Sequence, residues 1–159
     1  MDNLALEKDI HSAGLIILGE LQVIDNDPVP KEAQSILLLG PDEPNIWEIF
    51  KESEEFNDLD ADPLDRWSKR VIDNIAVQNH CTALYPFGAE PYKPFFSWAL
   101  RSDTVWSSPV HLAVHKDRGL FVSFRGALAI NQTKKINQSF ENPCTKCHAP
   151  CLSACPVDA

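Results

Sequence analysis

Cys144-Thr-Lys-Cys147-His-Ala-Pro-Cys151-Leu-Ser-Ala-Cys155-Pro156 sets the organisation of this chain, because it separates a folded body from a ligand-bearing end. Four of the five cysteines fall within twelve positions, spaced C-x2-C-x3-C-x3-C-P. Thiolate ligands need this clustering, since short side chains must reach one metal centre from several sides. The bacterial iron–sulfur run is C-x2-C-x2-C-x3-C-P, and this stretch differs by one added residue, within His148–Pro150. The proline after the last cysteine belongs to the same pattern. Cys144, Cys147, Cys151 and Cys155 are therefore expected to hold a [4Fe–4S] cluster. In two-cluster ferredoxins the cysteine before the proline serves the other cluster. Either Cys155 joins the other three, or the sequence is a piece of a longer chain with a second run and a second cluster. A ligand run at a chain end has nothing folded over it, so truncation is the expectation. A structural zinc site with His148 as an alternative ligand competes, but zinc sites favour ligand pairs separated by longer spacers. Cys81 is either a remote ligand or, as we prefer, a small buried hydrophobe.

Upstream, residues 131–142 read as a polar linker carrying Lys134 and Lys135. The segment 143–159 then holds the ligands, and 1–130 forms the body. Residues 109–115 and 119–130 read as two strands joined by the turn Lys116-Asp-Arg-Gly119. On that reading His111 and His115 share a strand face, as a metal-binding or, preferably, a structural pair. Phe121, Ser123 and Arg125 share another face, with Arg125 either an anion contact or a solvated charge. Tyr85 to Trp98 is rich in proline and aromatics. It is irregular up to Pro94, where a short helix starts, and it either shapes a pocket or staples a loop. Residues 82–85 form a brief strand.

The clearest helix starts at Asp62-Pro63. Asp62 suits the N-cap, Pro63 the first turn and Asp65 the helix dipole. Leu64, Trp67, Val71 and Ile75 recur on one face, and Arg66, Lys69, Arg70 and Asp73 on the other. Glu52 to Asp62 is acidic and reads as a solvated loop. Asn45, with Glu48 three positions on, is the expected cap of another helix. Ser35–Leu39 and Leu15–Val23 read as strands, Asp25–Pro30 as a loop, and residues 2–13 as a first helix closed by Gly14. The expected fold class is an α/β (α+β) domain with a mixed sheet.

The formal net charge of −9 over 159 residues argues against nucleic acid and anionic membrane as partners, since both need a basic face. It suits docking to a basic redox partner protein. An odd cysteine count with four packed together is unlike a secreted disulfide framework. No apolar run reaches membrane-spanning length, and the acidic N-terminus is unlike a signal peptide. A reducing cytoplasm is the expected location.

Four stretches carry a resemblance. They are Asp62-Pro-Leu-Asp-Arg-Trp-Ser-Lys-Arg-Val-Ile72, Tyr85-Pro-Phe-Gly88 with Pro94-Phe-Phe-Ser-Trp-Ala99, Phe124-Arg-Gly-Ala-Leu-Ala129, and the cysteine run. In this order they resemble short bacterial ferredoxin-like 4Fe-4S proteins over residues 60–159. More distantly, the chain is similar to epoxyqueuosine reductases and corrinoid reductive dehalogenases. The resemblance implies an α/β domain followed by the start of a ferredoxin-like iron–sulfur segment. It implies Cys144, Cys147, Cys151 and Cys155 as cluster ligands, and no residues for a second cofactor. Members of the short group continue past Cys-Pro-Val, in line with truncation. The expected function is electron transfer by a ferredoxin-like module. The alternatives are an iron–sulfur reductase of the epoxyqueuosine reductase type using a corrinoid or flavin, and a zinc-binding interaction module.

Overall fold

The structure, a computed structural model, describes residues 3–133 and 140–154. Its centre is the apolar run Ser35–Pro41 (β2), which lies between Leu15–Gln22 (β1) and Gly126–Ile130 (β6). The short Thr82–Leu84 (β3) completes a sheet of order β1-β2-β6-β3. A second, two-stranded sheet pairs Val105–Ser107 (β4) with Ala113–His115 (β5). The helices are Asn3–Ser12 (α1), Asn45–Lys51 (α2), Glu54–Asn57 (α3), Pro63–Gln78 (α4) and Phe95–Leu100 (α5).

The domain is mixed α and β, as expected, but every strand pairing is antiparallel and the sheet is not mixed. β2 and β3 are both antiparallel to β6, so they run in the same direction, as strands joined through a helix such as α4 usually do. They do not pair, because β6 enters between them from the far end of the chain.

The sheet is buried on both faces. Alternate residues of a strand point to opposite sides. Leu37 and Leu39 pack with Leu6, Ile10, Phe50, Trp67, Ile72 and Ile75 from the helices α1, α2 and α4. Ile36 and Leu38 pack with Phe95, Trp98 and Val105 on the other side. β6 follows the same rule: Leu128 and Ile130 meet the helices, while the small Ala127 and Ala129 leave room for Phe95 and Trp98. Two-sided burial is why β2 reads as an unbroken apolar run.

Helix α4 forms where its periodicity places it, with Trp67 and Ile75 buried and Leu64 and Val71 packed against the same cluster. Its cap differs from expectation. Asp62 occupies the N-cap but at φ +52°, and its side chain makes no capping bond. Nor does Asn45 cap α2: Pro44 occupies the N-cap position without a side-chain capping bond, and Asn45 donates instead to Asp42 Oδ2 at 3.0 Å.

The acidic stretch 52–62 is not simply a solvated loop. Ser53 caps α3 by accepting from Phe56 N, and Glu55 is buried against Arg70. Asp58 receives both terminal nitrogens of Arg66 at 2.7 Å. The Arg70 guanidinium holds the Glu55 carboxyl at about 2, and Arg66 does the same for Asp58.

The expected hairpin of 109–115 with 119–130 is absent. Lys116–Gly119 closes only a single bridge, His115 to Gly119. β5 turns back to β4 instead, and β6 joins the main sheet. Gly19 on β1 makes room for the segment that leads into β4. A β-carbon there would lie 2.6 Å from Ser102 Oγ, so only glycine lets the 102–104 segment approach β1. Among the described residues no helix is long and apolar enough to cross a membrane.

Candidate functional site

The cysteine segment is built from tight local turns. Asn142 accepts from Cys144 N through its side chain at 2.8 Å and from Thr145 N through its carbonyl at 3.1 Å, an Asx-type start. Cys147 N donates to Cys144 O at 3.3 Å. Ala149 then turns through φ +49°, and Pro150–Leu152 forms one turn of 3-10 helix. The added residue of the C-x3-C interval is thus taken up at a left-handed position just before Pro150. None of residues 141–154 is buried, although Cys144 and Cys151 are partly covered.

Cys144, Cys147 and Cys151 are free thiols, with no disulfide among them. In donor type they suit an iron–sulfur cluster. Among the described residues, however, no group of three or more His, Cys, Asp or Glu side chains is gathered to hold a metal ion. The three thiols share a stretch without converging. The fourth expected ligand, Cys155, lies outside the described residues with Pro156, as do residues 134–139 of the expected linker.

Cys81 sits elsewhere, half-buried against the helix-side core, with Sγ 3.7 Å from Ala76 O. Burial pushes its thiol up to about 11, so it stays protonated and behaves as a hydrophobe rather than a ligand.

The histidine pair on one strand does not exist. His111 lies before β5 at φ +60°, whereas His115 ends the strand and is buried. Its Nε2 meets Leu18 O at 2.8 Å, and its Nδ1 accepts from Asp117 N and Arg118 N at 3.1 and 3.2 Å. A carbonyl can only accept, so the proton is on Nε2 and the ring is neutral. Burial holds its pKa below the usual histidine value, in keeping with that state. Thr104 Oγ1 donates to the same Leu18 carbonyl at 2.8 Å, at the point where the register of β1 slips.

Arg125 is 18% exposed and pairs with Asp65 at 3.2 Å, so the cation expected to meet an anion or water has a partner from α4. Its Nε is buried without a partner. The aromatic stretch 85–98 is largely structural. Phe95 stacks on Trp98 at 5.3 Å, and Trp98 Nε1 donates to Asp27 Oδ1 at 2.8 Å. Arg101 clamps both oxygens of Asp27 at 2.7–2.8 Å, and this bond holds the Asp27 carboxyl at about 2. The hollow at that loop is small, about 170 Å³.

A larger cavity escapes sequence reading. It measures about 830 Å³ and lies between α1, β1, the 115–118 turn and Phe140. That volume falls in the range of small-molecule sites. Ile10, Ile17 and Leu18 give it apolar walls, with Lys116 and Arg118 at one side. Lys116 lies over the Phe140 ring, 4.6 Å from its centroid, and pairs with Asp117. Phe140 stands four residues before Cys144, so the cavity borders the start of the cysteine segment. Five separate stretches compose it, Ser102 and Thr104 among them, and none carries a local signal. No family model, curated protein or solved structure matches the chain.

Proposed function

We propose that this chain is an iron–sulfur protein of the ferredoxin-like kind, with Cys144, Cys147, Cys151 and Cys155 as ligands of a [4Fe–4S] cluster. The observation that carries the reading is the density of thiols: four in twelve residues, closed by Cys-Pro. The free state of the three described ones supports it. When bound, the cluster supplies reversible one-electron exchange, with a potential tuned by hydrogen bonds to sulfur and by exposure. The protein's part is to present the thiols on short, solvent-accessible turns, where a redox partner protein can approach. A reducing cytoplasm suits such thiols. A second cluster would need further cysteine ligands, with Cys155 then serving the second centre.

A second reading is a reductase of the epoxyqueuosine reductase type, in which the cluster feeds a corrinoid or flavin. The specific observation in its favour is the cavity of about 830 Å³ that Phe140 links to the ligand segment. Anaerobic purification followed by iron, sulfide and zinc analysis tests the first reading. Iron and acid-labile sulfide in equal amounts, with broad visible absorption, are expected. Colourless protein, or stoichiometric zinc without iron, overturns it. Titration with cobalamin and with flavin tests the second, and failure of both removes it.

A further inference from the structure

We propose that the face formed by α2, α3 and the loop 58–62 is a docking surface for a basic protein with an apolar centre. The inference does not rest on the cluster reading.

Three observations converge there. Trp47 is 52% exposed and sits edge-on to the half-exposed Phe56 at 5.7 Å. Both rings touch Phe50, which in turn meets the buried Trp67, so this aromatic pair is an outcrop of the core rather than a loose side chain. Large aromatics backed in this way are the usual anchors of protein interfaces. Three residues beyond Phe56, Leu59 is 96% exposed at φ +66°. Bulky side chains rarely adopt that conformation. Arg66 fixes the loop that presents it: besides the Asp58 pair, it donates from Nε to Ala61 O at 2.8 Å. Leu59 is therefore held outward on a rigid support, which lowers the ordering cost of binding.

The third observation is charge. From Asp42 to Arg70 the chain carries ten acidic and four basic residues, a net −6 of the total −9. Glu52, Glu54 and Asp60 lie between or beside the apolar groups in sequence and are exposed. An apolar centre with a charged rim is the anatomy of a protein interface. The sign selects the partner. A second copy of this acidic chain would be repelled, as would nucleic acid or an anionic membrane, whereas a basic protein surface is complementary.

The test uses the full chain and, as probe, a synthetic amphipathic helix with leucines on one face and lysines on the other. An oligolysine of equal charge serves as control. Tryptophan emission is expected to shift on binding in the parent and to stay unchanged in Trp47→Phe, and the amphipathic probe is expected to bind more tightly than oligolysine. Leu59→Asp separates packing from charge. It adds a negative charge, so pure electrostatics predicts tighter binding, whereas loss of the apolar contact predicts weakening by about tenfold or more. Because Leu59 touches no core, the variant is expected to unfold at the same denaturant concentration as the parent. Glu52→Lys with Glu54→Lys is expected to weaken binding, and Glu32→Lys, on the loop between β1 and β2, to leave it unchanged. Cys144→Ser is expected to bind as the parent does. Equal or tighter binding by Leu59→Asp, equal binding of oligolysine, or loss of binding in Cys144→Ser would overturn the proposal.

Discussion

Ile36–Leu39 and Cys144–Cys151 are both short runs dominated by one kind of side chain, yet their surroundings are opposite. The first is fully buried, with helices on one face and α5 and β4 on the other. The second has no buried residue, and among the described residues its backbone hydrogen bonds run within its own turns. The shape of β2 comes from what packs around it. Among the described residues the cysteine segment has no such support. Body and segment should therefore respond to different perturbations.

The sharpest separation is expected from Trp98→Ala. It opens a cavity in the α5-side core and removes the donor to Asp27, and should lower unfolding free energy by about 3–5 kcal/mol in a denaturant titration. A loss below about 1 kcal/mol would mean that the two-sided core is not what holds the body together.

Next comes Asp27→Asn. The Asp27 side chain is 5% exposed and clamped by Arg101. Its carboxyl falls from 3.8 to about 2 on folding, which corresponds to about 2 kcal/mol. The folded-state pKa is depressed, so this stabilisation is present above the unfolded value near 3.8 and is lost as pH falls through about 2. Parent and variant should differ most at neutral pH and converge in acid. A gap independent of pH would show that the contribution is not electrostatic.

His115 gives a window of the same sign at higher pH. Its folded pKa is below the ordinary 6.5, so its contribution is complete above that value and declines as pH falls below it. An imidazole titration followed by NMR should show a midpoint under 6.5; a midpoint at or above it would contradict the neutral, doubly accepting ring.

The least effect on stability is expected from Cys144→Ser and Cys151→Ser. Each should change unfolding free energy by under about 0.5 kcal/mol while greatly reducing bound iron in anaerobically prepared protein. Coupled loss of iron and of body stability would erase the distinction between the two regions.

The same distinction governs what could be read from residues alone. Helix α4 was legible because Leu64, Trp67, Val71 and Ile75 repeat at helical spacing. β2 was legible because a strand buried on both faces has nothing polar to display. The partners of β5 and β6 were not. The turn 116–119 looks like a hairpin, but pairing was decided by β2 and β3 offering β6 an open slot. Glu55 looked solvated because its partner Arg70 stands fifteen positions away. The cavity beside Phe140 was invisible for a similar reason. The cysteine run stood out as a pattern of residue types, and spacing does not fix how the thiols are turned toward one another.

The doubly occupied carbonyl of Leu18 has a consequence for the molecule in a crowded solution. β1 is the last strand on its side of the sheet, and an outermost strand invites foreign strands to add and propagate into fibrils. Here the register slip and the donors from Thr104 and His115 occupy an acceptor that an incoming strand would need. At the opposite side, three-residue β3 offers too short a template. The sheet is finished at both ends against growth.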